Sequence, residues 1–92
     1  MIKSVKGAAT LRFIRTGKSR FAGLDDELAR QRLAELNAAT SLTDIGRLNS
    51  TGRHKLKGAL RTYWSIDVNG RWSVLFKFSA GHAYEVHIHD PH

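Results

Sequence analysis

The 92-residue chain contains no cysteine. That removes a disulfide-stapled secreted scaffold, a thiolate zinc site and a cysteine nucleophile from consideration. Its one proline is the penultimate residue, Pro91, and no repeat, low-complexity tract or linker divides the chain. No apolar run approaches the roughly 18–20 residues of a membrane span, and the N-terminus lacks the apolar stretch of a signal peptide. A cytoplasmic protein with no membrane contact is therefore expected. One domain over residues 1–92 is expected too, because domains commonly run to about 100–150 residues. So short a chain hides only about 60–65% of its unfolded surface, which excludes a large cleft roofed by a second domain. Acidic residues are scarce: eight Asp and Glu stand against fifteen Lys and Arg, a net charge of +7. Solubility alone is served by a charge of magnitude about 2–8, but this excess favours a polyanionic partner, nucleic acid first.

What is present reads as two helices followed by a sheet. Residues 1–5 suit a short strand. From Ala8 to Thr16 the apolar positions Ala8, Leu11 and Ile14, with Phe13 beside them, recur at helical spacing, and Gly17 stands where a helix C-cap would. Asp25 can cap a second helix in which Leu28, Ala29, Leu33 and Leu36 form the buried stripe, leaving Arg30, Gln31, Arg32 and Glu35 for water or a partner. Asn37-Ala38-Ala39-Thr40 ends that helix, and residues 41–53 read as an irregular connection with one short turn. Beyond Arg53 the period becomes 2. Trp64, Ile66 and Val68 alternate with polar residues, and Asn69-Gly70 signals a type I′ hairpin with positive φ at both positions. Trp72, Val74, Phe76 and Phe78 follow, then a turn at Ser79-Ala80-Gly81-His82, then Tyr84, Val86 and Ile88. One face of this antiparallel meander must meet the helices, and the other carries Ser, Lys, Glu and His. The fold class is α+β.

Five histidines, at positions 54, 82, 87, 89 and 92, are the chemistry-bearing residues. On a strand His87 and His89 point to one face about 6.6–6.8 Å apart. With Asp90 and His92 they could gather zinc or nickel, but a chain end seldom supplies the outer hydrogen bonds that order a metal site. No metal and no cofactor are expected. Imidazole near pKa 6.5 can both take and give a proton at neutral pH. Two imidazoles around a phosphodiester suffice for RNA cleavage: one removes the 2′-OH proton and the other protonates the departing 5′ oxygen, while Lys or Arg stabilises the gathering charge. His54-Lys55-Leu56-Lys57-Gly58 supplies an imidazole beside two ammonium groups, and Asp90-Pro91-His92 a second imidazole beside a carboxylate. Trp64, Trp72, Phe76 and Phe78 sit at core parity and read as packing.

These fragments resemble the HigB toxins of the RelE superfamily, and the likeness runs along nearly the whole chain. Met1-Ile2-Lys3-Ser4 is similar to the family's opening and Leu36-Asn37-Ala38-Ala39-Thr40 to its helix end. His54-Lys55-Leu56-Lys57-Gly58 matches a His-x-Leu-Lys-Gly pattern. Trp64-Ser65-Ile66-Asp67-Val68-Asn69 followed by Trp72 matches its hairpin, and Asp90 and His92 match an Asp-Tyr-His ending. The resemblance implies a microbial RNase-like RelE fold, with two N-terminal helices packed on a curved antiparallel sheet. It implies a ribosome-dependent, metal-free endoribonuclease that cuts mRNA in the A site of the 70S ribosome. Carried over, His54, Asp90 and His92 are catalytic, with His92 as base and His54 as acid. Lys57 is a phosphate contact, and Lys55, Arg61, Arg71 and Lys77 join it as cations for RNA. The implied partner is a HigA-like helix-turn-helix antitoxin, through which alone operator DNA is reached.

Two departures from the pattern imply an attenuated nuclease. Trp72-Ser73 stands where the family has Trp-Arg, so a cation aimed at the transition-state phosphate is missing, a loss of about 10²–10³ in rate. Pro91 replaces an aromatic able to stack on a base. Strand parity places Ser73 on the same wet face as Lys77, with Arg71 in the turn within reach around it. A toxin that binds ribosomes without cutting and a gyrase-directed toxin of the same fold are the alternatives. The paired imidazoles argue against the latter.

Overall fold

Residues 1–6 run alongside the last strand of a four-stranded sheet without forming a full strand of their own. In the computed structural model, which describes residues 1–46, 54–55 and 63–90, this segment makes parallel bridges from Ile2 to Ala83 and from Val5 to Val86. Gly7 then turns the chain into α1 (Ala8–Thr16); α2 (Asp26–Ala38) and the short α3 (Leu42–Gly46) follow. The strands are β1 (His54–Lys55), β2 (Trp64–Asp67), β3 (Ser73–Ser79) and β4 (His82–His89), antiparallel in the order β1-β2-β3-β4. The α+β class read from the sequence is the one observed, with a third short helix added.

β4 is an edge strand, and an edge leaves a row of unpaired backbone groups. Here the N-terminal segment covers them. The N–H groups of Ala83 and Val86 donate to the carbonyls of Met1 and Ser4, those of Lys3 and Lys6 donate to Ala83 and Val86, and the Glu85 N–H donates to the Ser4 hydroxyl at 2.8 Å. The next amide, Ile88, donates to the Thr10 hydroxyl at 3.0 Å. That bond corrects the expected face of α1. The helix buries Thr10 and Phe13 against β4, whereas Leu11 and Ile14 are exposed, because a buried amide needs an acceptor more than the interface needs a leucine.

Asp25 caps α2 by accepting from the Leu28 N–H at 3.0 Å, and Ala29, Leu33 and Leu36 are buried as the spacing requires, with Leu28 packed at the margin. Arg32 is the exception. Expected in water or against a partner, it is only 5% exposed, its Nε donating to the Asp67 carbonyl at 3.3 Å and its guanidinium paired with Glu35 at 3.2 Å. The apolar core lies between the helices and the sheet face bearing Ile66, Val74, Phe76, Ala83, Val86 and Ile88.

The type I′ geometry expected at the first hairpin is found at the second instead. At the first, the Trp72 N–H donates to the Asn69 carbonyl, and of the turn residues only Gly70 has positive φ. Asn69 is spent elsewhere: its side chain accepts from the Asp25 N–H and donates to the Gly23 carbonyl, tying the hairpin to the entry of α2. The second turn has positive φ at both central residues, Ala80 (50°) and Gly81 (82°), the pattern of type I′. A Cβ on Gly81 would sit 3.1 Å from the Thr40 carbonyl oxygen, so glycine is required there twice over.

Thr10→Val, which adds an apolar methyl for a hydroxyl, is expected to lower unfolding free energy by about 1–3 kcal/mol by orphaning the Ile88 amide. Leu11→Ser on the exposed face should stay within about 0.5 kcal/mol of the parent. Urea midpoints for the two variants check this, and equal values would remove the special place given to Thr10.

Candidate active site

The sheet face turned away from the core is built in cross-strand rows. Asp67, Ser73 and His89 stand opposite one another, and so do Ser65, Leu75 and His87; the backbone of His54 pairs with Ser65, extending the second row across all four strands. This face is less wet than alternation suggests. Ser65, Leu75 and Ser73 are all buried. Ser73 is 7% exposed and therefore does not share the solvated setting of Lys77, contrary to the parity expectation.

Between Leu75 and Lys77 the register slips. His87 faces Leu75 but Tyr84 faces Lys77, so Glu85 and Val86 together stand opposite Phe76. This is a β-bulge, and it leaves Glu85 at φ 52°, a left-handed conformation rare for a residue with a side chain. The slip also corrects the expected core pattern of β4. Ala83, Val86 and Ile88 face inward, and Tyr84 does not.

Around the bulge a polar network gathers. The Glu85 carboxylate accepts from the Tyr63 hydroxyl at 3.0 Å and pairs with the Lys77 ammonium at 2.8 Å. The ammonium groups of Lys77 and Lys6 lie 5.1 and 5.6 Å from the centre of the buried Tyr63 ring. The edge-to-face pairs Tyr63–His87 and His87–His89 have centroids 5.4 and 6.1 Å apart. Nδ1 of His87 lies 2.8 Å from the Glu85 carbonyl. The hydrogen bond to Glu85 raises the pKa of Lys77, while bonds from Lys77 and Tyr63 lower that of Glu85. Burial, with help from Lys6 and His89, lowers the pKa of His87; burial and the nearby Lys3 lower that of His82, whose buried Nδ1 has no hydrogen-bond partner among the described residues.

The sequence-derived site residues divide accordingly. At the end of β4 Asp90 pairs with Arg71, whose guanidinium reaches it at 3.4 Å from the hairpin turn. Lys77 lies in the bulge network, and His54 and Lys55 are placed by backbone pairing with Ser65 and Trp64. Lys57, Arg61, Pro91 and His92 lie outside the described residues. Among the described residues no three His, Asp or Glu side chains converge as a metal site would require. Sequence reasoning did not assign Tyr63, Glu85 or Lys6 to the site, and weighed His87 only as a metal ligand; a bulge leaves no periodic trace that would have assembled them.

A model of the family described as RelE-like toxin of type II toxin–antitoxin system HigB matches residues 8–92. The chain belongs to the HigB-like toxin family. This HigB-like toxin is 41% identical over 59 residues to the endoribonuclease HigB of Proteus vulgaris, an alignment covering 62% of the present chain and 64% of that relative's length. Its fold is that of a YafQ mutant from E. coli, with TM-score 0.63 and 12% identity, covering 99% of this chain and 94% of the other. No described helix of the toxin is long and apolar enough to cross a membrane.

The lowered imidazoles fix a pH dependence. Both pKa values fall below the ordinary 6.5, so between 6.5 and the folded-state values the unfolded chain binds more protons. Their stabilising contribution is complete above 6.5 and is lost as pH falls through that window. Glu85 acts lower, below its ordinary 4.5. Thermal midpoints should therefore drop between pH 7.5 and 5.5, and less steeply in His87→Gln. A flat parent profile over that range would contradict the assignment.

Proposed function

We propose that this HigB-like toxin is an endoribonuclease that cuts mRNA in the A site of the 70S ribosome by metal-free acid–base chemistry. The observation that carries the reading is the entry of β1 into the sheet. It pairs the His54 backbone with Ser65 on the row that ends at His87, while Asp90 leaves β4 beside Arg71. A histidine and an acidic residue far apart in sequence are thus attached to the two outer strands, β1 and β4, of one four-stranded sheet. In this reading His92 removes the ribose 2′-OH proton, the 2′ oxygen attacks phosphorus, and His54 protonates the departing 5′ oxygen. Asp90 orients the imidazole, and Lys55, Lys57, Arg61, Arg71 and Lys77 bind phosphates. A HigA-like helix-turn-helix antitoxin neutralises the toxin in the cytoplasm and carries it to operator DNA; the endoribonuclease name of the Proteus vulgaris relative supports the same activity.

The test is cleavage of mRNA on programmed 70S ribosomes, with an EDTA-treated control, and 5′ ends mapped by primer extension. Cuts in the A site that persist in EDTA and vanish in His54→Ala and His92→Ala are expected. Tight ribosome binding without cuts would turn the assignment to a non-cleaving toxin, and gyrase-linked DNA breaks to the gyrase-directed kind.

Arg71 supports a rewired phosphate contact. It already stands at the end of β4, whereas Ser73 is enclosed between Asp67 and His89. Arg71→Ala should lower the cleavage rate by about 10²–10³, and Ser73→Arg should raise it by less than about 10-fold. A large gain from Ser73→Arg with no loss from Arg71→Ala would show that the phosphate still waits for its cation at 73.

A further inference from the structure

The carboxylates on the face described above are engaged: Glu85 receives Tyr63 and Lys77, Asp90 receives Arg71 and Asp67 receives the Ser73 hydroxyl, while Lys6, Lys77 and Arg71 donate only. His87 differs. A carbonyl oxygen can only accept, so the 2.8 Å contact with Glu85 means that Nδ1 carries the hydrogen, and in the neutral ring Nε2 is then a lone pair. Nε2 has no partner among the described residues, and the ring is held by Tyr63 on one side and His89 on the other. Among the described residues His89 has no comparable bond fixing its tautomer.

The carbonyl that locks the ring is itself locked. Glu85 holds its left-handed backbone because Ser4 takes its N–H, while Tyr63 and Lys77 hold its carboxylate. Backbone strain of this kind costs about 1–3 kcal/mol and persists only where the surroundings over-determine it. The groups facing the imidazole are Lys6 from the N-terminal segment, Tyr63 ahead of β2, Lys77 on β3, and Glu85 and His89 on β4. Burial together with Lys6 and His89 outweighs Glu85 and keeps the ring neutral.

Phosphates accept hydrogen bonds and are served by the cations, which bind RNA and DNA alike. The group that separates RNA from DNA is the 2′-hydroxyl, and reading its donor side takes an acceptor. We propose that His87 is a specificity residue of this toxin, its Nε2 accepting a hydrogen bond from a ribose 2′-hydroxyl, with Glu85 as the residue that positions it. The inference rests on RNA being the ligand, as the preceding section holds, and adds how the site tells RNA from DNA.

The experiment is a titration of the whole toxin, labelled with nitrogen-15 in its imidazoles, with a short single-stranded oligoribonucleotide and its 2′-deoxy counterpart at pH 7.5. The free protein should show His87 as the Nδ1–H tautomer, and RNA should shift its Nε2 signal while the deoxy strand does not. Dissociation constants should favour RNA by about 3–10-fold, one hydrogen bond's worth. That preference should disappear in His87→Ala and at a pH low enough to protonate the ring, and survive in His89→Ala. Equal affinity for both strands, an unmoved Nε2 signal, or a preference that His87→Ala leaves intact overturns the role of His87 while leaving RNA binding standing. A preference carried by base amino groups would show as an Nε2 shift common to both strands, and overturns it equally. Binding of neither strand overturns this inference, while the RNA reading itself stands or falls by the ribosome cleavage assay of the preceding section.

Discussion

At the centre of β4 one residue too many is fitted against β3, and Glu85 and Val86 share the place opposite Phe76. Had the ladder continued unbroken, Ala83 would lie on the same face as His87, and Tyr84 would point into the core. The slip lets Ala83, Val86 and Ile88 all pack inward while the imidazoles of His87 and His89 stay together on the other side. It also turns the Glu85 carbonyl onto the ring of His87 and presents the Glu85 carboxylate to Tyr63 and Lys77. Core packing and site geometry thus meet in a single backbone irregularity, the usual setting in which bulges re-aim side chains.

A bulge on an edge strand needs support from outside the ladder, because the extra residue leaves amides that β3 cannot satisfy. The N-terminal segment supplies it. Ser4 accepts the Glu85 amide with its side chain and the Val86 amide with its backbone, and Thr10 receives the amide of Ile88 one turn into α1. The same segment carries Lys6 over Tyr63 and fastens Ile2 to Asn37 of α2. The opening residues therefore protect the edge, hold the bulge and contribute charge to the site, although in sequence they read only as a short strand.

The bounds of α1 and α2, the Asp25 cap and the order of the later strands were legible because each rests on a local signal: spacing, a capping side chain, alternation. The burial of Arg32 and Thr10 was not, because each answers a particular backbone group at long range, the Asp67 carbonyl or the Ile88 amide. Asn69-Gly70 misled for a similar reason. The asparagine that suits a tight turn is better used bridging to Gly23 and Asp25. For the site, likeness to a family drew attention to His54 and Asp90, the two ends of the proposed cleavage centre. Tyr63 and Glu85 were invisible because they meet only through the register slip.

The charges on the site face do not contribute much to stability. Lys77 and Glu85 are both well exposed, and an exposed pair contributes little to stability, less still in salt. Their arrangement makes sense as orientation. Glu85 draws Lys77 across the Tyr63 ring and fixes its own backbone, and Arg71 similarly brings a guanidinium to the end of β4 by pairing with Asp90. An RNA phosphate arriving at either pair would compete with a carboxylate for its cation, so the basic surface offers phosphate contacts that are directed but not tight. Under the proposed function, weak phosphate contacts suit a toxin that acts on one strand held in place by a larger assembly rather than on every RNA it meets. Selectivity must then come from groups that read something other than charge, the task proposed above for the imidazole of His87, which its bond to the Glu85 carbonyl holds in one tautomer.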